Sequence, residues 1–181
     1  MQQPLTSPLL DLFLELCAMP SPSGKERAVA DRIGGYLTGL GLEWDEDDAA
    51  AALDGDTGNI LCRLPATNGA GGTPVFLCAH TDTVPPEAAI EPVVEDGVVR
   101  NAAGTILGSD NKAAVVVMLE AARRILREGR PHAGIELVFT PQEEVSLRGA
   151  GAFDHTRLVA RTGFVYDHLW VPVQMWGREP E

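Results

Sequence analysis

Histidine and carboxylate side chains recur in four separate segments of this 181-residue sequence. They stand at His80 and Asp82, Asp110, Glu143 and Glu144, and Asp167. Imidazole and carboxylate groups are the ligands that zinc and similar divalent cations accept in proteins. Carboxylates gathered without a cation would repel one another and raise each other's pKa values. If the fold brings the segments together, these residues predict a site for one or two divalent metal ions.

The spacing of these side chains indicates how they could divide the work. In an extended segment His80 and Asp82 lie on the same face, so His80 can bind metal while Asp82 accepts from its other ring nitrogen. Asp110 has a short side chain at a predicted helix start and could bridge two metals about 4 Å apart. Neighbouring glutamates seldom point the same way, so one of Glu143 and Glu144 can bind metal while the other acts as general base.

Buried strands and one long helix must position these residues. Apolar runs at 74–79, 134–140 and 163–166 predict three strands buried on both faces, and a site residue follows each of them. An apolar stripe with helical spacing predicts a helix over 110–128. This order predicts an α/β domain with a mixed, largely parallel central sheet flanked by helices. Ligands of such sheets bind beyond the carboxyl ends of the strands.

The remaining elements are predicted from local signals. Ser7 and Pro8 favour a helix start. Ser23 and Glu26 have the spacing of a capping box for a second helix that runs to about residue 40. Further expectations are strands at 42–47 and 60–64, exposed loops at 49–52 and 68–72, and a hairpin over 92–100 that turns at Asp96 and Gly97.

Composition limits the class of protein. Acidic residues outnumber basic ones by 26 to 14 and give a net charge of −12, which argues against a nucleic-acid partner and against adhesion to anionic membrane. No apolar run approaches the roughly 20 residues of a membrane span. Three cysteines without metal-type spacing predict buried free thiols. We therefore expect a cytoplasmic protein.

Three blocks of the sequence resemble a known family. They are residues 80–85 (HTDTVP), 104–113 (GTILGSDNKA) and 139–150 (FTPQEEVSLRGA). The blocks resemble peptidase T and its relatives. These are tripeptide aminopeptidases, in the same group of zinc exopeptidases as glutamate carboxypeptidase and the aminoacylases. The resemblance runs from about Leu9 to His168, and it implies a zinc-exopeptidase-like catalytic domain.

The resemblance also implies a role for each site residue and a cis peptide bond between Asp110 and Asn111. The family usually has an acidic residue at the position of Asn111. An asparagine at this position resembles the glutamyl and deblocking aminopeptidases, whereas the HTDTVP block favours peptidase T. The implied roles are His80 and Asp167 on one metal, Glu144 on the other, Asp110 as the bridge, Glu143 as general base, and Asp82 as the residue that orients His80.

Family members are about twice as long as this chain. The resemblance therefore implies that residues 1–168 are the N-terminal part of the catalytic domain. Residues 169–181 form an atypical tail, and His168 is not expected to be a ligand. The lid and dimerisation domain would be absent, as would the rest of the catalytic domain with its last histidine ligand. Exposed sheet edges and apolar surface would then favour self-association.

Three functions stay open at this point. The first is a metallopeptidase that releases N-terminal residues from short peptides, using a water activated by two metals and a glutamate base. The second is a carboxypeptidase, dipeptidase or N-deacylase of the same group. The third is an inactive metal-binding remnant. The ligand types fit zinc, and they also accept cobalt or manganese.

Overall fold

Six strands form one mixed sheet in the computed structural model, which describes residues 7–167 and the backbone of residues 174–177. The elements are α1 Pro8–Cys17, α2 Arg27–Gly39, β1 Trp44–Glu46, α3 Ala49–Leu53, β2 Ile60–Leu64, β3 Val75–His80, β4 Pro92–Glu95, β5 Val98–Asn101, α4 Ser109–Glu128, β6 Ile135–Thr140, α5 Arg148–Ala152, a 3-10 helix His155–Arg157, β7 Thr162–Val165 and β8 Gln174–Gly177. His168 lies outside the described residues, as do residues 169–173 and 178–181 of the predicted tail. Residues 174–177 of that tail form β8.

The strand order β1-β2-β6-β3-β7-β8 places three parallel strands at the centre of the sheet. β3 pairs in parallel with both β6 and β7, whereas β1, β2 and β8 pair antiparallel with their neighbours. The predicted α/β fold with a mixed sheet is confirmed, and its parallel part is confined to the centre. Because β3, β6 and β7 run the same way, their carboxyl ends meet at one edge.

Helices α1, α2 and α4 cover one face of this sheet. Alternate residues of β2 and β6 point into the core between sheet and helices, as the pleat requires. The described core includes Leu16, Ile33, Leu37, Ile60, Cys62, Val115, Met118, Leu119, Leu137 and Phe139. All three cysteines are free, as expected; Cys17 and Cys62 are buried as predicted, whereas Cys78 is only partly buried. No helix among residues 7–167 is both long and apolar enough to cross a membrane.

Local signals predicted several elements correctly. The hydroxyl of Ser7 accepts from the Leu10 N–H at 3.1 Å and so caps α1. The hairpin β4–β5 turns at Asp96 and Gly97, whose φ values of 52° and 79° suit a tight hairpin turn. The strand predicted at 60–64 is β2, and the long helix is α4.

The predicted capping box at the start of α2 is wrong. The Ser23 hydroxyl donates to Asp82, and the Glu26 carboxylate accepts from Gly24 and Gln142. The first N–H groups of the helix, at Glu26 and Arg27, donate instead to the Asp56 carboxylate at 2.8 and 3.0 Å. A cap supplied from thirty residues away leaves no local spacing to recognise.

The loop predicted at residues 49–52 is also wrong. The chain forms α3 there, and both Ala49 and Leu53 are buried. Alanine has the highest intrinsic helix propensity, and tertiary packing stabilises a helix too short to be stable alone. The run of alanines lacked the large apolar residues from which a buried stripe is usually recognised.

Candidate metal centre

The four predicted segments converge on His80 at the carboxyl edge of the sheet. Two groups of side chains share this histidine: one adds Glu143 and Glu144, and the other adds Asp110 and Asp167. In each group, one possible ligand atom from every residue lies within 4.8 Å of the others. The Nε2 atom of His80 lies 3.3 Å from Asp110 Oδ1 and 3.8 Å from Asp167 Oδ1.

His80 ends β3 and is 4% exposed. Its Nδ1 lies 3.0 Å from the backbone oxygen of Asp82 and 3.3 Å from the Oδ1 of that residue. This is the contact that the spacing predicts, and it leaves Nε2 directed at Asp110 and Asp167. Burial alone would lower the pKa of His80, but the hydrogen bond and charge of Asp82, with the charges of Glu143 and Asp110, raise it to about 9.

Asp82 is fully buried and holds more than the histidine. Its Oδ1 accepts from the Glu143 N–H at 2.9 Å, and its Oδ2 accepts from the Glu144 N–H at 3.1 Å and the Ser23 hydroxyl at 2.6 Å. Burial would raise the pKa of Asp82, but the hydrogen bonds from His80, Ser23 and the Glu143 backbone keep it below its ordinary value. An ionised Asp82 therefore ties the glutamate pair to His80.

Glu143 and Glu144 lie on a turn just after β6. Glu143 is half-buried and Glu144 is exposed. The turn begins at Gln142, a buried residue with φ of 56°. Burial raises the pKa of both glutamates, and nearby carboxylates add to the rise against the opposing effect of His80. Such an accumulation of negative charge, together with a buried imidazole, is the environment that a divalent cation stabilises.

Asp110 stands where α4 begins, and its backbone is not helical. Asp110 has φ −84° and ψ 108°, and its peptide bond to Asn111 is cis, as the resemblance implies. The Asn111 amide donates to the backbone oxygen of Tyr166, the residue before Asp167. An ionised carboxylate could not donate this hydrogen bond, so asparagine is the residue type that joins the two segments here.

An apolar groove of about 540 Å³ adjoins the centre on the face of the sheet opposite α4. Its apolar lining includes Phe76, Cys78, Val138, Leu147, Phe153 and Val165, and its edge includes His80, Glu143 and Asp167. The prediction that strand β3 is buried on both faces is therefore wrong for residues 75–78, which are only partly buried. His155 also lines the groove and is exposed.

The chain belongs to peptidase family M20/M25/M40, whose profile matches residues 76–176 and so covers more than half of it. The chain is similar to aminopeptidase PepT from Bacillus cereus ATCC 10987, whose crystal structure superposes with a TM-score of 0.83. Identity is 35%, over 88% of this chain and 43% of that one. The predicted family resemblance is thus confirmed.

Two curated relatives are also similar to most of this chain, and each is longer than it. The uncharacterized protein YqjE of Bacillus subtilis is 34% identical over 159 residues, which are 88% of this chain and 42% of that protein. The cytosol non-specific dipeptidase of Escherichia coli is 34% identical over 154 residues, 79% of this chain and 29% of that enzyme. The chain therefore spans less than half the length of each of these three relatives.

Proposed function

We propose that this chain carries the metal centre of an exopeptidase that hydrolyses peptide bonds in short peptides and releases N-terminal residues. The observation that supports this most directly is the pair of ligand groups that share His80 at the carboxyl edge of the sheet. The similarity to an aminopeptidase at 35% identity favours action at the N-terminus. Free cysteines fit a reducing cytoplasm as the location.

The centre fits two divalent ions, and zinc suits its donor set of one imidazole and several carboxylates. In the assignment that we propose, His80 and Asp167 would hold one ion and Glu144 would hold the other. The Asp110 carboxylate would be a ligand shared by both ions. Such ions would polarise the scissile carbonyl and make water a stronger nucleophile. Asp82 keeps His80 oriented, since it lies against the ring nitrogen opposite the one that faces Asp110.

Glu143 is the general base in this proposal. Its backbone is fixed by Asp82, and its side chain borders both the ligand cluster and the groove. Burial raises the pKa of its carboxyl group, which makes it a stronger base than an exposed glutamate. It takes a proton from water as the oxygen adds to the carbonyl carbon. It then returns a proton to the amine nitrogen as the carbon–nitrogen bond breaks.

Replacement of Glu143 by Gln tests the assignment. We expect turnover of a tripeptide to fall by about a hundredfold to ten-thousandfold, the range for loss of a general base, while metal content stays unchanged. Glu144→Gln is the matched neighbour, and it should lose metal as well as activity. Glu95→Gln, in the exposed hairpin, should leave both unchanged. Unchanged activity in Glu143→Gln would refute the role of this residue.

The second candidate is another amide hydrolase with the same centre. The dipeptidase of Escherichia coli, 34% identical, favours it specifically. A panel of tripeptides, dipeptides and N-acyl amino acids, assayed with zinc, cobalt and manganese, separates the alternatives. Preferred cleavage of tripeptides supports the aminopeptidase, whereas preferred cleavage of dipeptides or N-acyl amino acids contradicts it.

A further inference from the structure

The segment between α1 and α2 runs along the chain that follows His80. Pro22 pairs in parallel with Thr83. The Thr83 N–H donates to the Ser21 carbonyl oxygen at 2.9 Å, and the Ser21 hydroxyl donates to the Thr81 carbonyl oxygen at 2.9 Å. The backbone contacts of Ser21 and Pro22 with Thr83 place the next side chain, Ser23, at the edge of the candidate metal centre.

Ser23 completes the set of groups around the Asp82 carboxylate. A carboxylate has about four lone-pair sites. Around Asp82 these face the His80 ring nitrogen, the N–H groups of Glu143 and Glu144, and the Ser23 hydroxyl at 2.6 Å. The serine is the only one of these four that belongs to no ligand segment, so its hydrogen bond fixes the rotation of the carboxylate from outside the centre.

Glu26 and Lys112 fix the segment that carries Ser23. Glu26 is fully buried, and its Oε1 accepts from the Gly24 N–H at 2.7 Å and the Gln142 N–H at 3.2 Å. Gly24, which follows Ser23, and Gln142, which precedes Glu143, therefore donate to the same Glu26 oxygen. The ammonium group of Lys112, also fully buried, donates to the Met19 carbonyl oxygen. The segment is thus fastened to α4 and to the glutamate turn.

We propose that Ser23 is a positioning residue of the metal centre, which acts through Asp82 on His80 and on the Glu143–Glu144 backbone. Without its hydroxyl, Oδ2 of Asp82 keeps one donor, the Glu144 N–H, and the carboxylate gains freedom to rotate. His80 and the glutamate pair then share a less rigid support. The inference rests on the metal centre of the proposed function, and it assigns Ser23 no contact with metal or substrate.

Cobalt titration of the metal-free chain tests this inference without an activity assay. We expect Ser23→Ala to weaken Co²⁺ binding by about tenfold, the lower end of the range for partners of metal ligands. The visible spectrum of the bound ion should shift as well. Ser23→Thr keeps a hydroxyl and should restore both readouts to wild-type values. Ser23→Cys, close in size but a weaker donor, should behave like alanine, and it carries the test if the alanine variant does not fold.

Ser21→Ala is the matched control. It removes a buried hydroxyl of the same segment that donates to a backbone oxygen and not to Asp82, so it should bind Co²⁺ like the wild type. Wild-type affinity and spectrum in Ser23→Ala would overturn the proposal, as would an equal loss in Ser21→Ala. A wild-type chain that binds no Co²⁺ would refute the proposed function itself, whereas the other two outcomes leave it standing.

Discussion

At the scale of single residues, the buried carboxylate of Asp82 connects most of the candidate centre. It contacts the His80 ring and accepts from two backbone N–H groups of the glutamate turn. Its hydrogen bonds hold the pKa of Asp82 below the ordinary value despite burial, so the carboxylate keeps its negative charge. A neutral side chain could not accept from the same set of donors. Rigid support of this kind decides how well ligands keep their geometry.

Asp82→Asn should weaken zinc binding by about tenfold to a hundredfold. Asparagine has one acceptor oxygen in place of two. Its amide N–H₂ group would face the hydrogen-bond donors that now bind the second carboxylate oxygen. Calorimetric titration of the metal-free chain with Zn²⁺ measures the effect. Asp31→Asn is the control, because this side chain is 64% exposed and pairs with Arg27 at the surface, away from Asp82. Equal affinities for Asp82→Asn and wild type would contradict the role.

The sequence predicts the contact between His80 and Asp82 because alternation in a strand is a local rule. It also indicates the glutamate pair and Asp110 by their residue types. Ser23 and Asp56 could not be assigned in this way, since each meets its partner through a contact between segments distant in sequence. The hydrogen bond from Asn111 to Tyr166 likewise depends on how α4 and β7 pack.

At the scale of elements, the short helix α5 supports the glutamate turn from behind. A Cβ atom built on Gly149 would lie 2.1 Å from the backbone oxygen of Pro141, two residues before Glu143. Backbone atoms cannot move aside as a flexible side chain can. The glycine therefore lets α5 pack directly against the turn.

Gly149→Ala should lower the free energy of unfolding by about 1–3 kcal/mol, the usual cost of overpacking, and it should weaken metal binding because the turn must move. Gly151→Ala is the matched control in the same helix, where an added Cβ meets nothing within 4 Å. It should be neutral or slightly stabilising, since alanine favours helix over glycine. Urea unfolding and zinc titration of both variants measure this; equal behaviour would contradict it.

Helix α4 carries a second testable element, the buried Glu120. Its side chain is 5% exposed and pairs with Arg123 and Arg124, and the hydrogen bond from Arg123 leads the effects that lower its pKa from 4.5 to about 2. Because the folded pKa is below the unfolded value, the ion pair stabilises the fold above about pH 4.5. This stability is lost as the pH falls towards 2.

Glu120→Gln should therefore unfold at lower urea concentration than wild type at pH 7, and the difference should shrink as the pH falls below about 4.5. Urea unfolding at several pH values measures it. Glu128→Gln, near the end of the same helix, removes more exposed ion pairs and should change little at any pH. A difference between Glu120→Gln and wild type that stays constant with pH would contradict the account.

Strands and long helices follow from apolar periodicity, which is why β2, β3, β6 and α4 match their predicted positions. The sequence does not predict the helix α3, because its short alanine run has no periodic stripe and its buried side depends on packing. The sequence also predicts more burial for β3 than the structure has, for a related reason. An apolar strand indicates that both faces suit a core, but the described residues cover only one of them.

At the scale of the whole molecule, apolar surface extends from the candidate centre across one side of the sheet. Leu147, which is 55% exposed, lines the groove. A second pocket, which shares Phe76 and Phe153 with the groove, is lined by Val159, which is 69% exposed. Contiguous apolar surface of this kind favours association. No local pattern in the sequence predicts such a groove, because it depends on which elements lie over the sheet.

We expect the 181-residue chain to self-associate through this surface as its concentration rises. Val159→Lys places a charge on the surface and should reduce association without loss of fold. Val98→Lys is the control, since this residue is 52% exposed on the separate hairpin and should not change association. Sedimentation over a wide concentration range measures it, and a monomer throughout would refute the expectation.

A two-metal centre around His80 can be observed by anomalous scattering at the zinc edge, from crystals grown with zinc. We expect two peaks, one beside His80 and Asp167 and one beside Glu144, with Asp110 between them. Zinc bound only elsewhere, or a single ion that Asp110 does not contact, would contradict this assignment.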